Sequence, residues 1–149
     1  HGIQQLLDAA SAQAAPGAEA KAITLTVEPT DLTARFDPKW TAEALYNLVD
    51  NAVKYTPAGG AVTLRAVGYE LFCRVDVTDT GPGIPESEQA RIFQRFYRSP
   101  SASEAEGVGI GLYLARQIAA GQGGYLKVSS RPGEGSTFSL FLPRAEERT

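Results

Sequence analysis

The stretch DNAVKY, residues 50–55, and the stretch DTGPGI, residues 79–84, decide how this chain folds and what it can bind. The first lies on a helical pattern in which apolar residues recur at intervals of three and four positions. The second follows an apolar, strand-like run, and its glycines permit a tight turn and the close approach of another group. We interpret the polar helix face and the glycine turn as two walls of one ligand site.

The composition narrows the class of protein. With 149 residues, 43% of them hydrophobic and 21% charged, residues 1–149 are expected to form one domain with a sizeable core. A net charge of -3 with scattered lysines and arginines argues against nucleic-acid binding. The single cysteine, Cys73, cannot form an intramolecular disulfide, so we expect a core thiol in a reducing compartment.

The ends and the apolar runs of the chain suggest a soluble segment. No apolar run is long enough to span a bilayer, and the first residues lack the basic and apolar regions of a signal peptide. Because the sequence begins with His1 and contains no methionine, we expect it to be part of a longer protein.

Periodicity and turn residues predict the secondary structure. The clearest helix has Thr41 as its expected N-terminal cap and an apolar stripe at Leu45, Leu48, Val49 and Ala52. A first helix over residues 2–14 is expected to end in a break rich in Ala, Pro and Gly. The other predicted elements are strands at 23–27, 32–36, 61–67, 71–78, 124–130 and 136–142, a short helix at 86–93 and a helix at 110–120.

These elements suit an α/β (α+β) two-layer sandwich, in which a mixed, largely antiparallel sheet is covered on one face by helices. Strands that come in neighbouring pairs argue against a doubly wound parallel sheet and its dinucleotide site. The run GVGIGL, residues 107–112, lacks the GxGxxG spacing of that site, and no GxxxxGK[ST] phosphate loop occurs.

The polar face of the central helix offers ligands for a metal and for phosphate. Magnesium prefers hard oxygen ligands and keeps several waters, so one asparagine carbonyl with phosphate oxygens makes a reasonable shell. Asn51 is the first choice of magnesium ligand, and Asn47, one turn earlier, could provide a second ligand or hold the metal's waters. Lys54 can reach phosphate as a point charge. Taken singly, each of these residues is more often an ordinary solvated side chain.

Asp79 has the chemistry to distinguish purine bases. A carboxylate accepts a hydrogen bond from the exocyclic amine of adenine and repels the carbonyl oxygen that guanine carries at the same place. Gly81 and Gly83 permit positive φ and the close approach of a flat ring. Gly107, Gly109 and Gly111 come just before a helix, where free N–H groups favour phosphate oxygens, although a flexible loop would have a similar sequence.

The motifs NLVDNAVKY, DTGPGI, RIFQRFYR, GVGIGL and GEGSTFSLFLP, in this order, resemble the catalytic, ATP-binding domain of sensor histidine kinases. The resemblance covers residues 23–143 and implies the Bergerat-type ATP site shared with gyrase, Hsp90 and MutL. It implies that ATP and Mg²⁺ are held by Asn47, Asn51, Lys54, Tyr55 and Asp79, with Asn47 and Asn51 at the metal. It further implies nucleotide contacts from Gly81, Gly83, Ile84, Phe96, Arg98, Gly107, Val108, Gly109, Gly111 and Leu112.

The same resemblance implies a lid over the phosphates. Phe93 and Phe96 match the aromatic box that anchors the lid, and Arg98 matches a phosphate-facing arginine that acts in catalysis together with Asn47 and Lys54. Val108 stands where the family often has threonine, which forfeits a hydroxyl contact at a cost of about 1 kcal/mol. Residues 98–107 are polar and acidic, and we expect them to be disordered without nucleotide.

The residue at position 47 separates two chemistries within this superfamily. Gyrase-like and chaperone members resemble one another in having a glutamate there, which can activate water, whereas an amide cannot accept the proton. Asn47 therefore favours transfer of the γ-phosphoryl group to a protein over hydrolysis. The resemblance places the acceptor histidine on a separate helical dimerisation domain. His1 lacks the sequence context of that acceptor, so this chain should bind ATP without phosphorylating itself.

The expected function is that of the ATP-binding catalytic domain of a two-component sensor histidine kinase, with a response regulator as the downstream partner. We expect a monomeric, cytoplasmic segment that reaches the membrane only through absent upstream parts. An anti-sigma-factor-type serine kinase is an alternative within the same superfamily. A module that binds ATP to control a partner interface, without phosphoryl transfer, is the non-enzymatic alternative.

Overall fold

Eight elements form the part of the chain that a computed structural model describes, which comprises residues 1–84, 89, 110–130 and 133–144. Their bounds are α1 Ile3–Ala20, β1 Thr24–Val27, α2 Pro38–Tyr55, β2 Ala61–Gly68, β3 Phe72–Asp79, α3 Ile110–Gly121, β4 Tyr125–Ser130 and β5 Ser136–Pro143. The predicted short helix over 86–93 and the predicted lid over 98–107 lie outside the described residues, apart from Gln89.

The five strands form one mixed sheet in the order β1-β2-β3-β5-β4. Only the edge strand β1 pairs in parallel, with β2, and the other described pairs are antiparallel. Strands β2 and β3 form a hairpin, in which the N–H of Tyr69 donates to the carbonyl of Phe72 at 2.8 Å. The predicted fold class, a mixed and largely antiparallel sheet with helices, is confirmed.

Alternation along the strands directs one face of the sheet toward the helices. In β5, Phe138, Leu140 and Leu142 are buried, whereas the residues between them are partly exposed on the other face. Helix α2 packs between α1 and α3, and the predicted stripe of Leu45, Leu48, Val49 and Ala52 is fully buried. Cys73 belongs to the same core, as expected for an inert thiol, and burial raises its pKa.

Helix α2 begins earlier than predicted, and its cap is Asp37 instead of Thr41. The Asp37 carboxylate accepts from the N–H of Trp40 at 2.9 Å, and Pro38 occupies the first helical position, where no N–H donor is needed. Thr41 is buried inside the helix, where its hydroxyl is bonded to the side chain of Gln122 at the end of α3. The expectation for Thr41 was wrong because the stronger Asp-Pro signal lies four residues earlier.

Two further expectations near the start of the chain were wrong. Helix α1 continues through Pro16 to Ala20, because buried Ala10, Ala14 and Ala18 extend its apolar stripe at intervals of four. Residues 32–36 form no strand and make only an isolated bridge between Thr33 and Gly2. Their N–H groups are bonded instead to carbonyls of His1 and Pro143, so the segment fastens the two ends of the described fold.

No helix in the described ranges combines the length and the apolar character needed to cross a membrane.

Candidate functional site

The polar face of α2 carries an ion pair beside the two asparagines. Lys54 Nζ lies 3.0 Å from the Asp50 carboxylate one turn earlier, and both side chains are partly exposed. Such an exposed pair is worth about 0.3 to 0.5 kcal/mol, so Lys54 can exchange it for a stronger anionic partner at little cost. Asn51 is half-buried in the same turn.

Asn47 faces the first turn of α3 and has an unused donor. Its Nδ2 atom is buried and has no hydrogen-bond partner among the described residues. A Cβ atom at Gly111 would lie 3.8 to 3.9 Å from the Asn47 side chain, so the two helices approach closely at this point. Gly111 lies inside the first turn of α3. An amide donor beside the start of a helix suits an anionic ligand.

Asp79 ends β3 on the helix-covered face of the sheet and is only 7% exposed. One carboxylate oxygen, Oδ1, accepts from the N–H of Gly81 at 2.9 Å. The backbone N–H of Ser136, the residue opposite Asp79 in the antiparallel pair, also donates to this carboxylate. Burial raises the pKa of Asp79, and the two backbone hydrogen bonds oppose the rise.

The glycine turn brings Asp79 and the end of α2 together. A Cβ atom at Gly81 would lie 3.0 Å from Asp79 Oδ1 and 3.1 Å from the carbonyl oxygen of Tyr55, closer than such atoms normally approach. Of the two glycines that permit positive φ, Gly83 adopts it, with a value of 80°, and Gly81 does not. The motifs DNAVKY and DTGPGI are thus neighbours in space, and Gly81 is needed for their close approach.

The far side of the turn is held by Ser130 and Gly135, to which the sequence assigned no role. The N–H of Ile84 donates to the hydroxyl of Ser130 at 2.7 Å, and that hydroxyl in turn donates to the carbonyl of Gly135 at 3.0 Å. Gly135 has a φ of 81°, and a Cβ atom there would overlap the carbonyl of Asp79. The run GEGS before the last strand was the available signal, because a glycine at a strand start often marks close backbone approach.

A lysine outside the predicted set stabilises the end of α2. Lys21 Nζ donates to the carbonyl oxygens of Val53 at 3.0 Å and Lys54 at 2.5 Å. These carbonyls lie in the last turn of the helix, where intrahelical donors are lacking and a positive charge is favourable.

The remaining predicted site residues divide into two groups. Tyr55 is half-buried at the end of α2, and Leu112 packs against the hydrophobic core from α3. The others, namely Phe93, Phe96, Arg98, Gly107, Val108 and Gly109, lie outside the described residues.

The burial of Asp79 predicts an unusual pH dependence of stability. Because its pKa is raised in the folded chain, the ionised form is disfavoured there, and this cost disappears as the pH falls through the raised pKa. Asp79→Asn should therefore be at least as stable as the parent near neutral pH. Its advantage should shrink toward pH 4, about the ordinary pKa of aspartate. Urea unfolding of both proteins at neutral pH and at about pH 4 measures the difference in their free energies of unfolding. A clear loss of stability in the variant at neutral pH would contradict the prediction.

Comparisons with known proteins show the family to which this chain is similar. Residues 36–146 match the family described as histidine kinase-, DNA gyrase B-, and HSP90-like ATPase. The adaptive-response sensory kinase SasA of Synechococcus sp. (strain JA-3-3Ab) is 42% identical over 131 residues, which are 86% of this chain and 35% of that protein. The sensor protein DivL of Caulobacter vibrioides is 39% identical over 147 residues, which are 97% of this chain and 19% of that protein. The chain thus spans about a third or less of the length of these relatives.

Solved structures, among them that of a sensor histidine kinase, have the same fold as this chain. The mycobacterial sensor histidine kinase MprB has a TM-score of 0.84 and 28% identity, and the alignment covers 98% of this chain and 97% of that one. Full-length ShkA in complex with AMPPNP has a TM-score of 0.81 and 30% identity, with coverage of 98% of this chain and 31% of that one.

Proposed function

Because this chain belongs to the histidine kinase-, DNA gyrase B- and HSP90-like ATPase family, we propose that it binds ATP with Mg²⁺ and supplies the γ-phosphoryl group to a histidine on a separate helical domain. The names of the similar proteins, a sensory kinase and a sensor protein among them, favour a two-component sensor kinase over the anti-sigma-factor type. The ATP-binding catalytic domain is the part of that system represented here.

The observation that carries the proposal is the buried carboxylate of Asp79 beside the glycine turn, close to the end of α2. Asp79 is ionisable, buried and held by backbone N–H groups, although no described side chain forms an ion pair with it. Buried titratable groups with a shifted pKa cluster at functional sites, which supports a ligand-recognition role for Asp79. Adenine offers the donor that this carboxylate needs, and ShkA was solved with AMPPNP, which carries the same base.

The opposite end of the site would take the phosphates. The unused Nδ2 donor of Asn47, the start of α3 and the weakly paired Lys54 all present positive charge or N–H groups. Phosphate oxygens are acceptors and would satisfy each of them. Arg98, Gly107, Val108 and Gly109 would complete this end in the resemblance.

The donor set suits magnesium held mainly by its substrate. Within the described ranges, no group of three or more His, Cys, Asp or Glu residues could hold a metal. Mg²⁺ commonly binds through one or two protein oxygens together with phosphates and waters, and the half-buried Asn51 amide can provide one such oxygen. When bound, the metal would neutralise phosphate charge.

Transfer to a protein fits this site better than hydrolysis. Position 47 is an amide that cannot remove a proton from water, and its unused atom is a donor. The chain's own residues would orient the triphosphate and balance its charge, and the acceptor side chain would be brought by the partner domain. A response regulator would receive the phosphoryl group afterwards, in the cytoplasm.

Calorimetric titration with ATP, ADP and GTP, with and without magnesium, tests the proposal. Adenine-selective binding that strengthens with magnesium is expected, and fusion to a helical acceptor domain should then yield phosphohistidine. Absence of binding, or equal affinity for GTP, would contradict the nucleotide site. Tight ATP binding without transfer in the fusion would favour the ATP-sensing module instead.

A further inference from the structure

Thr56, the residue that follows α2, has a buried hydroxyl that forms no hydrogen bond with the described part of the fold. Its side chain is fully buried, and its Oγ1 atom has no hydrogen-bond partner among the described residues. The backbone of Thr56 is satisfied, because its N–H donates to the carbonyl of Ala52 at 3.0 Å. A buried hydroxyl without a partner destabilises a fold, so valine would serve the same packing role better.

The packing of the Thr56 methyl group sets the direction of the hydroxyl, because both groups are bonded to Cβ. The Thr56 methyl group, Cγ2, points at Gly60, where an added Cβ atom would overlap it. Oγ1 points the other way, toward Gly81, and would lie 3.5 Å from a Cβ atom there. The hydroxyl therefore faces the glycine turn beside Asp79.

Three oxygen atoms converge on Gly81, each within 3.5 Å of the position that a Cβ atom there would take. They are Asp79 Oδ1, the carbonyl oxygen of Tyr55 and Thr56 Oγ1. The ionised carboxylate and the carbonyl can only accept hydrogen bonds, whereas the hydroxyl can also donate. A ligand that meets all three atoms can therefore have an acceptor only opposite Thr56.

Adenine has this arrangement along one edge, where the amino group at N6 is a donor and the neighbouring ring nitrogen N1 is an acceptor. Resting on the proposed function, we propose that the Thr56 hydroxyl donates a hydrogen bond to N1 of adenine, directly or through one water, while Asp79 accepts from the N6 amine. Thr56 is then a nucleotide-contacting residue, because its buried hydroxyl donates to the acceptor N1 of the base.

The test compares ATP with its 1-deaza analogue, in which N1 is replaced by C–H. Thr56→Val should bind ATP about 3- to 10-fold more weakly than the parent, as expected for loss of one neutral hydrogen bond. The same variant should bind 1-deaza-ATP as the parent does, because the interaction is already absent. Thr56→Ser should retain affinity for ATP. Thr78→Val, which changes an exposed threonine on the other face of the sheet, is the matched control and should change neither affinity.

The outcomes separate this inference from the proposed function. A parent protein that binds no ATP overturns both. ATP affinity unchanged in Thr56→Val, or equal losses for ATP and 1-deaza-ATP, overturns only the role of Thr56. Thermal unfolding of the ligand-free proteins gives an independent readout. Thr56→Val should unfold at or above the parent temperature, and a lower temperature together with equal ligand losses would identify a structural residue.

Discussion

Asp79→Asn should weaken ATP binding by roughly 1.5 to 3 kcal/mol, or about 10- to 150-fold, the range for a hydrogen bond to a charged group. The carboxylate is buried, and one of its oxygens already accepts from the N–H of Gly81, so few acceptor positions remain for a ligand. An asparagine keeps the shape but replaces one acceptor by a donor, which would face the adenine amine. Calorimetry with ATP and magnesium measures the change.

The same strand offers a matched control for Asp79→Asn. Asp76 is also buried, but it lies on the opposite face of the sheet, where it is paired with Arg74 at 2.9 Å and accepts from Ser139 at 2.7 Å. Asp76→Asn should lower stability and leave ATP affinity unchanged. If Asp79→Asn bound ATP as tightly as the parent, Asp79 would have no role in the site.

Asn51→Ala should abolish most of the gain in ATP affinity that magnesium provides. Removing a group that supports a metal commonly costs 10- to 100-fold in affinity, and we expect a loss of at least about 10-fold in the presence of magnesium. Affinity measured without magnesium should change little, because the remaining residues still hold the base. The readout is the ratio of the two dissociation constants.

Glu43→Ala is the control for Asn51→Ala on the same helix. Glu43 is exposed and lies two turns earlier on α2, so its removal should alter neither constant. Equal losses with and without magnesium in Asn51→Ala would show that Asn51 acts on the nucleotide or on the helix, and not on the metal.

Local patterns predicted most of this fold because they coincide with its packing. The stripe from Leu45 to Ala52 is buried as its spacing required, and the strand pairs form the expected mixed sheet. The end of helix α1 and the conformation of residues 32–36 were predicted wrongly for tertiary reasons. Burial of Ala14 and Ala18 outweighs the helix-breaking tendency of Pro16. In the segment 32–36, backbone N–H groups donate to the carbonyls of His1 and Pro143 instead of forming a strand ladder.

The candidate site was predictable where a motif carries its own chemistry. The carboxylate of Asp79 and the asparagines of α2 could be selected by residue type, and the structure places Asp79 against the end of that helix. The roles of Lys21, Ser130 and Thr56 could not be predicted, because each depends on a contact between residues distant in sequence or on the lack of one.

The contacts of Lys21 limit where the domain can be truncated. Lys21 directly follows α1, and its ammonium group donates to the carbonyls of Val53 and Lys54, immediately before Tyr55 and Thr56. The family match starts at residue 36, whereas Lys21, which supports the end of α2, lies before that residue. A shortened or fused version must therefore keep α1 and Lys21 if the end of α2, where we propose that the base binds, is to stay in position.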